Sequence, residues 1–339
     1  MVKIKTFSRT EKDLQRETKM DIHRVSRDYS SNAHPLFQVR EYQRAVVAAK
    51  IQKIFAKPFV KALTGHMDGI SVLQKSKTEP NLLLSGSFSG EVLLWDLSLE
   101  KNIGKVDCFE GLVKGCCISE SNKYCLVAGD DRNISFYFTK TIKKGLLNPK
   151  IQADESYMSD SVISSIDLVY DDTQFLTCGE GVSLWDIEKS QKISSWSWGS
   201  DTILKVKANP VEKHLILCTS MDRGIFIHDT RTNQSLSKTY LINKSSCLCW
   251  NPREPINFTV GNEDHNAYTF DMRVLTKARK IHKGHIGAVL DIDYAPTGTE
   301  FVTGSFDKTV RIFENESGKS REVYHGKRMQ KVYAVQWSS

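Results

Sequence analysis

Two short stretches of this sequence combine an acidic and a basic side chain at a fixed spacing. His228-Asp229-Thr230-Arg231 and Phe270-Asp271-Met272-Arg273 both read as an aromatic residue or histidine, then Asp, any residue and Arg. The guanidinium can form forked, charge-assisted hydrogen bonds with a partner. The alternative is that each arginine pairs with carboxylates of its own structural unit. The pattern alone leaves both interpretations open for Asp229, Arg231, Asp271 and Arg273.

Positive charge is concentrated near the N-terminal end of the chain. The whole chain has 47 basic and 40 acidic residues, a net charge of +7. Residues 1–62 hold 14 basic and 6 acidic residues, a net of +8, so residues 63–339 are almost neutral at −1. A basic arm on a neutral body predicts an anionic partner such as RNA or a ribonucleoprotein, and a solvated tail is the alternative. The candidate contacts in the arm are Arg40, Arg44, Lys50, Lys53 and Lys57.

A second basic stretch, SREVYHGKRMQKVY, interleaves its charges with Tyr324, His325 and Tyr333. Basic residues can hold phosphates while neighbouring aromatic rings stack on bases. A solvated loop is the alternative, and the stretch taken alone favours it. The candidate RNA contacts here are Arg321, Lys327, Arg328 and Lys331.

Catalytic and metal-binding patterns are not found in the sequence. It contains no P-loop and no dinucleotide fingerprint, and the string GSFSG has Phe88 where a nucleophile elbow needs serine. The pairs Cys116–Cys117 and Cys247–Cys249 are adjacent or alternate along a strand, so we interpret them as small buried strand residues rather than zinc ligands. We expect no catalytic residue, no metal and no cofactor. No apolar run of membrane-spanning length occurs, and the polar N-terminus does not resemble a secretory signal.

The elements that position these side chains recur along the chain. Segments with a common outline end at Trp95 and at Phe313, and four further copies lie between them. Their terminal positions are 95, 137, 185, 228, 270 and 313, with spacings of 42, 48, 43, 42 and 43 residues. The long step contains a polar, lysine-rich insert around Thr139–Asp154, which we expect to be a surface loop. Six recurrences at this period predict a repeat architecture.

Each unit reads as a set of short strands. Alternating apolar residues precede an Asn-Pro or Pro turn, and two further strand-like runs follow. The units resemble WD repeats, since Gly65-His66 with Trp95-Asp96 gives the full pattern and Gly284-His285 with Phe313-Glu314 gives a softened copy. This resemblance implies an all-β fold, a seven-bladed WD-repeat β-propeller over residues 58–339, in which each blade covers its neighbour.

Two expectations concern the regions that flank the six units. Trp337 lies 43 residues after Tyr294, so it takes the first-strand position of a seventh unit, and the last blade is expected to be incomplete in this chain. Residues 1–57 are expected to form a separate basic arm with a helix near residues 38–56, since apolar residues recur there at helical spacing and Pro58 follows. Phe59–Leu63 is expected to be a strand.

Several stretches outside the generic repeat resemble the Sof-type WD-repeat proteins of the small-subunit processome. They are His34–His66, SWSWGSD, CWNPREP, GNEDHNAYTFDMR and SREVYHGKRMQKV. The resemblance implies a non-catalytic scaffold of ribosome biogenesis, in the nucleus and nucleolus, that supports pre-rRNA processing with processome proteins and the box C/D snoRNP. Pre-rRNA could be touched directly.

The same resemblance carries a second implication. Animal members of the family are also described as substrate receptors of cullin-RING ubiquitin ligases, and the two Asp-x-Arg motifs resemble the WDxR motif that contacts the ligase adaptor. The sequence leaves both functions open. It indicates no membrane partner.

Overall fold

The computed structural model describes residues 61–145, 151–169, 172–199, 201–232, 234–326 and 329–338, together with residues 36, 39, 40, 42, 43 and 46. Residues 39, 40, 42, 43 and 46 are helical. The rest of the predicted helix at 38–56 lies outside the described residues, so that helix stays a prediction.

In the part of the chain that the structure describes, twenty-four strands form six antiparallel sheets of four strands each, and consecutive strands are neighbours in every sheet. Each sheet is one blade of a WD-repeat propeller, as the repeat predicts. Blades 1 to 3 comprise β1 Ile70–Lys75, β2 Leu82–Ser87, β3 Glu91–Asp96, β4 Lys101–Asp107, β5 Val113–Ile118, β6 Tyr124–Gly129, β7 Asn133–Phe138, β8 Glu155–Met158, β9 Ser165–Leu168, β10 Gln174–Cys178, β11 Val182–Asp186 and β12 Gln191–Trp196. Blades 4 to 6 comprise β13 Ile203–Ala208, β14 Leu215–Ser220, β15 Gly224–Asp229, β16 Ser235–Tyr240, β17 Ser245–Trp250, β18 Asn257–Asn262, β19 Asn266–Asp271, β20 Lys280–Lys283, β21 Val289–Tyr294, β22 Glu300–Ser305, β23 Val310–Glu314 and β24 Ser320–Tyr324.

The core lies between neighbouring blades. The six repeated aromatic or histidine positions all fall near the end of a third strand, and each is buried. Among the described residues, five apolar clusters each join two consecutive blades. One of them brings Leu84 and Val92 of blade 1 against Val113 and Cys125 of blade 2. A blade alone would leave these faces in water, so burial between blades drives the assembly.

From blade 1 to blade 6, the first strand of each blade lies beside the first strand of the next blade. Between blades 3 and 4 this contact includes a charge pair, because the Lys207 ammonium lies 2.9 Å from the Asp167 carboxylate. Asp167 also accepts a hydrogen bond of 2.8 Å from the backbone N–H of Ala208. The Asp167 carboxylate therefore connects the inner strands β9 and β13, which belong to different sheets.

Residues 332–338 lie between blades 6 and 1. They form no regular strand, but the N–H groups of Val335 and Trp337 donate to the carboxylates of Asp291 and Asp293 in β21, at 2.8 and 2.7 Å. On the other side, Lys75 of β1 lies 3.3 Å from Asp293 and donates to the Trp337 carbonyl at 2.9 Å. We call this set of contacts the seam.

Two expectations about local structure were wrong. Residues 61–63 of the predicted strand Phe59–Leu63 are not in a strand, and residues 59 and 60 lie outside the described part. The insert in blade 2 is not simply a loop, because a short helix, α1, spans Thr139–Lys144. Ile142 is 1% exposed there, and its carbonyl lies so close to Gly104 that any side chain at that position would collide with it.

The polar network inside the blades differs from unit to unit. In blade 6, His285 contacts both Asp307 and Thr303, at 3.1 and 2.6 Å. Burial opposes ionisation of Asp307, but its hydrogen bond and charge interaction with His285, together with hydrogen bonds from Thr309 and the Ile286 N–H, outweigh burial and lower the pKa of the carboxyl. Blade 4 has His228 at the tryptophan position, between the rings of Trp196 and Trp198, where burial lowers the pKa of the imidazole.

Candidate docking and nucleic-acid surfaces

The first Asp-x-Arg motif closes the third strand of blade 4. Asp229 is the last residue of β15, and Arg231 follows in the turn to β16. The guanidinium of Arg231 donates to both carboxylate oxygens of Asp229, with distances of 2.6 Å from Nη2 and 3.0 Å from Nε. These hydrogen bonds are the main cause that lowers the pKa of Asp229 to about 2. Asp229 is buried, but 67% of the Arg231 side chain stays exposed.

The second motif repeats this geometry one blade further on. Asp271 ends β19, and Arg273 donates to its two oxygens at 2.7 Å from Nη2 and 3.1 Å from Nε. The pKa of Asp271 is lowered, chiefly by this hydrogen bond. The alternative interpretation from the sequence, an arginine paired with its own carboxylate, is therefore present in both motifs. Each pair still presents the outer edge of its guanidinium to solvent, so the motifs keep donors for a partner.

The two motifs lie on one side of the ring, because each occupies the turn from the third to the fourth strand. Turns from the first to the second strand border the same side. Blade 4 ties its two turns together through Thr230, whose N–H donates to the His214 carbonyl at 2.9 Å. Blade 5 does so through Met272 and Ile256, also at 2.9 Å. The amide of Asn209 donates to the carbonyl of Pro255 at 2.8 Å, which joins the blades.

Other exposed residues on the side of the ring that carries the Asp-x-Arg motifs were not identified from the sequence. Arg253 and Arg279 are exposed, and so are the apolar residues Val211, Ile256 and Val274. Arg253 could have been found, since it follows the Asn-Pro turn that recurs before a second strand. Val211, Ile256 and Val274 carry no motif, and only the packing of adjacent turns brings them beside the arginines.

The structure places the basic candidates Arg321 and Lys331 in different surroundings. Arg321 lies in the outer strand β24 and pairs with Glu300 and Glu322. Lys331 instead lies over the ring of Phe306, with its ammonium 4.3 Å from the ring centroid. Tyr333 packs edge-on against Phe88 of blade 1 at 5.0 Å. We call Lys331, Phe306, Tyr333 and Phe88 the basic–aromatic patch.

Most of the remaining basic candidates lie outside the described residues. Arg40 is exposed. The others lie outside the described residues, namely Arg44, Lys50, Lys53, Lys57, Lys327 and Arg328. The basic–aromatic patch lies on the side of the ring opposite to the Asp-x-Arg motifs, because Phe306 and Phe88 follow second strands.

Cys116, Cys117 and Cys247 are small core residues, as the sequence predicts, whereas Cys249 is only half-buried. Cys116 and Cys117 are each 2% exposed, and burial raises the pKa of both thiols, that of Cys116 to about 12. Within the described ranges, no three His, Cys, Asp or Glu side chains come together as a metal site. In the same part of the chain, no helix is long and apolar enough to cross a membrane.

Comparisons with known proteins agree with this architecture. The family described as "WD domain, G-beta repeat" matches residues 57–96 and 276–314, which contain the two units with a Gly-His pair. The chain is 40% identical over 338 residues to the DDB1- and CUL4-associated factor 13 of Xenopus tropicalis, covering 100% of this chain and 75% of that protein. It is 40% identical over 343 residues to the human protein of the same name. It is 34% identical over 357 residues to Protein SOF1 of Saccharomyces cerevisiae, covering 99% of this chain and 73% of that protein. The chain therefore belongs to the family of WD-repeat proteins that includes DDB1- and CUL4-associated factor 13 and Protein SOF1.

Proposed function

We propose that this chain is a non-catalytic scaffold of ribosome biogenesis that supports pre-rRNA processing and small-subunit assembly within the processome. The observation that carries the proposal is its likeness to Protein SOF1 along 99% of its length, including the stretches outside the generic repeat. The proposed partners are processome proteins, the box C/D snoRNP and pre-rRNA, and the proposed location is the nucleus and nucleolus. A ring of packed blades suits this role, because it holds several turns in fixed positions for different partners.

The proposed RNA contacts are the basic arm, residues 1–57, and the basic–aromatic patch of the propeller, residues 58–339. Lys331 can neutralise a phosphate while Tyr333 offers a ring surface to a base. Arg321 is a weaker candidate, since Glu300 and Glu322 already compensate its charge.

The test is complementation of cells depleted of the endogenous protein. We expect wild type to restore pre-rRNA processing, and a chain without residues 1–57 or with Lys331→Glu and Tyr333→Ala to restore it poorly. Lys238→Glu, on the outer strand β16, is the matched control. Normal processing in depleted cells would refute the scaffold function.

The six blades and the seam support a ring of seven positions. Residues 332–338 contact the inner strands of both blade 6 and blade 1. We infer that they occupy the place of a seventh inner strand.

A second candidate function is that of a substrate receptor of a cullin-RING E3 ubiquitin ligase. Relatives are named as associated with DDB1 and CUL4, and the specific support is the pair of exposed guanidinium groups at Arg231 and Arg273 in consecutive blades. Purified DDB1 should bind wild type and lose binding to the double variant Arg231→Ala/Arg273→Ala. Absence of binding to wild type would refute this candidate.

A further inference from the structure

The turns around the two Asp-x-Arg motifs form one continuous surface that is larger than the motifs. We call it the arginine rim and define it as the exposed residues of 210–214, 230–232, 252–256 and 271–279. The backbone and side-chain hydrogen bonds between Thr230 and His214, Met272 and Ile256, and Asn209 and Pro255 connect these four segments. Contacts of 2.8–2.9 Å across each junction fix the segments relative to one another.

Apolar side chains lie exposed within the arginine rim. Val211 and Val274 are each 56% exposed, and Ile256 is 37% exposed. These three branched apolar side chains lie on turns that hydrogen bonds connect, and exposed apolar side chains grouped on one surface mark interaction sites. The hydrogen bonds above place Val211 and Ile256 on joined turns of blades 4 and 5, and Val274 on the turn bonded to Ile256.

The charges around these apolar residues are mainly basic. The rim has six basic residues against two acidic ones, namely Lys213, Arg231, Arg253, Arg273, Lys277 and Arg279 against Glu212 and Glu254. Asp229 and Asp271, which pair with the motif arginines, are buried and half-buried. Arg279 reaches Glu254 only at 3.9 Å, with both side chains more than half exposed. Among the described residues, Arg253 and Lys277 form no ion pair. Arg253 and Arg279 are therefore the arginines most available to a new partner.

We propose that the arginine rim docks a protein segment in which carboxylates alternate with apolar side chains. The apolar residues of the segment cover Val211, Ile256 and Val274, and its carboxylates bind Arg253, Arg279 and the outer edges of the Arg231 and Arg273 pairs. The inference rests on the docking function proposed above for the same side of the ring and extends it to residues outside the two motifs.

The combination of apolar and basic side chains in the arginine rim favours a protein partner over RNA. Protein interfaces bury an apolar centre and are enriched in arginine, whereas a phosphate backbone would gain nothing from Val211, Ile256 and Val274.

The experiment measures the full chain against three probes: purified DDB1, a synthetic peptide of alternating Glu and Leu, and a single-stranded RNA of matched charge. Two double variants separate the apolar and basic parts, Val211→Asp/Val274→Asp and Arg253→Glu/Arg279→Glu. Leu236→Asp, with a side chain of equal exposure on the outer strand β16, is the control. Circular dichroism and the melting temperature verify that each variant is folded.

We expect each double variant to weaken peptide and DDB1 binding tenfold or more and the control to have no effect. If the peptide binds through the rim and DDB1 does not bind wild type, the ligase function fails while this inference holds. If the peptide does not bind wild type, or binds the apolar variant equally well, the inference is overturned. Loss of RNA binding in the arginine variant with unchanged peptide binding would also overturn it, and would assign the rim to nucleic acid.

Discussion

Replacing Lys75 by methionine tests whether the seam holds the ring closed. The Lys75 ammonium lies 3.3 Å from Asp293 and donates to the Trp337 carbonyl, and only 20% of its side chain is exposed. Methionine keeps most of the side-chain volume but removes the charge. Asp293 would keep its hydrogen bonds from Trp337 and Gln336 and lose its counter-ion.

The size of the effect follows from the burial of the pair. A hydrogen bond to a charged group contributes about 1.5–3 kcal/mol, and breaking a fully buried pair costs about 3–5 kcal/mol. With 20% and 14% of the two side chains exposed, we expect a loss near the lower range, about 2 kcal/mol of unfolding free energy. At about 2–4 °C per kcal/mol, the range for domains of 150–250 residues, the melting temperature of this longer chain should fall by at most about 4–8 °C.

The assay combines urea denaturation with hydrogen exchange. Exchange of the Trp337 amide, which donates to Asp293, should accelerate more than exchange of amides in the interior blades. Lys192→Met is the control, because its partner Asp160 is 83% exposed, and pairs of that kind contribute little. An unfolding free energy equal to wild type, with unchanged exchange at Trp337, would refute the seam as a determinant of ring closure.

Three further predictions concern charged groups. Burial raises the pKa of Asp291 to about 6, so the folded state holds this proton more tightly than the unfolded chain, and stability should fall as pH rises from about 4 to about 6. Asp291→Asn, which still accepts the Val335 hydrogen bond, should have the melting temperature of wild type at pH 4 and a higher one at pH 7.5. Equal pH profiles for the two proteins would contradict this. Arg231→Ala with Arg273→Ala should leave the melting temperature nearly unchanged because both guanidinium groups are two-thirds exposed, whereas a clear drop in calorimetry would show that they are struts of their blades. Deleting residues 1–57 should flatten the salt dependence of RNA binding, by roughly 0.7 for each phosphate of a single strand that the arm would otherwise neutralise, and an unchanged slope in fluorescence titrations would assign RNA binding to the ring.

The strand layout could be predicted because it depends on a local pattern that repeats. A buried aromatic residue or histidine before a turn is needed once per blade, so positions such as Trp95 and Phe313 marked the third strands without any knowledge of packing. The helix α1 was not predicted because its single buried apolar residue, Ile142, packs on Gly104 in strand β4 of the neighbouring blade. A lysine-rich insert with one apolar side chain reads as a loop until that contact is known.

The surfaces could be predicted only in part, since they depend on residues far apart in the sequence. Lys75 and Asp293 are 218 positions apart, and no repeat rule pairs them. Arg321 was a candidate for RNA binding because of its basic neighbours, but the strand register sets it beside Glu300. The Asp-x-Arg motifs were found because their spacing is local, while Val211 and Val274 join them only through turns of adjacent blades.

The positions of the two surfaces bear on whether the two proposed functions exclude each other. The arginine rim is built from turns that follow first and third strands, and the basic–aromatic patch from turns that follow second strands and from the segment after blade 6. Successive antiparallel strands alternate in direction, so these two groups of turns lie on opposite sides of the ring, separated by strands of about 20 Å. A partner at Arg253 and Val274 therefore does not cover Lys331 and Tyr333. One chain can hold an acidic protein segment on one side while RNA occupies the other, and the two functions are compatible in a single complex.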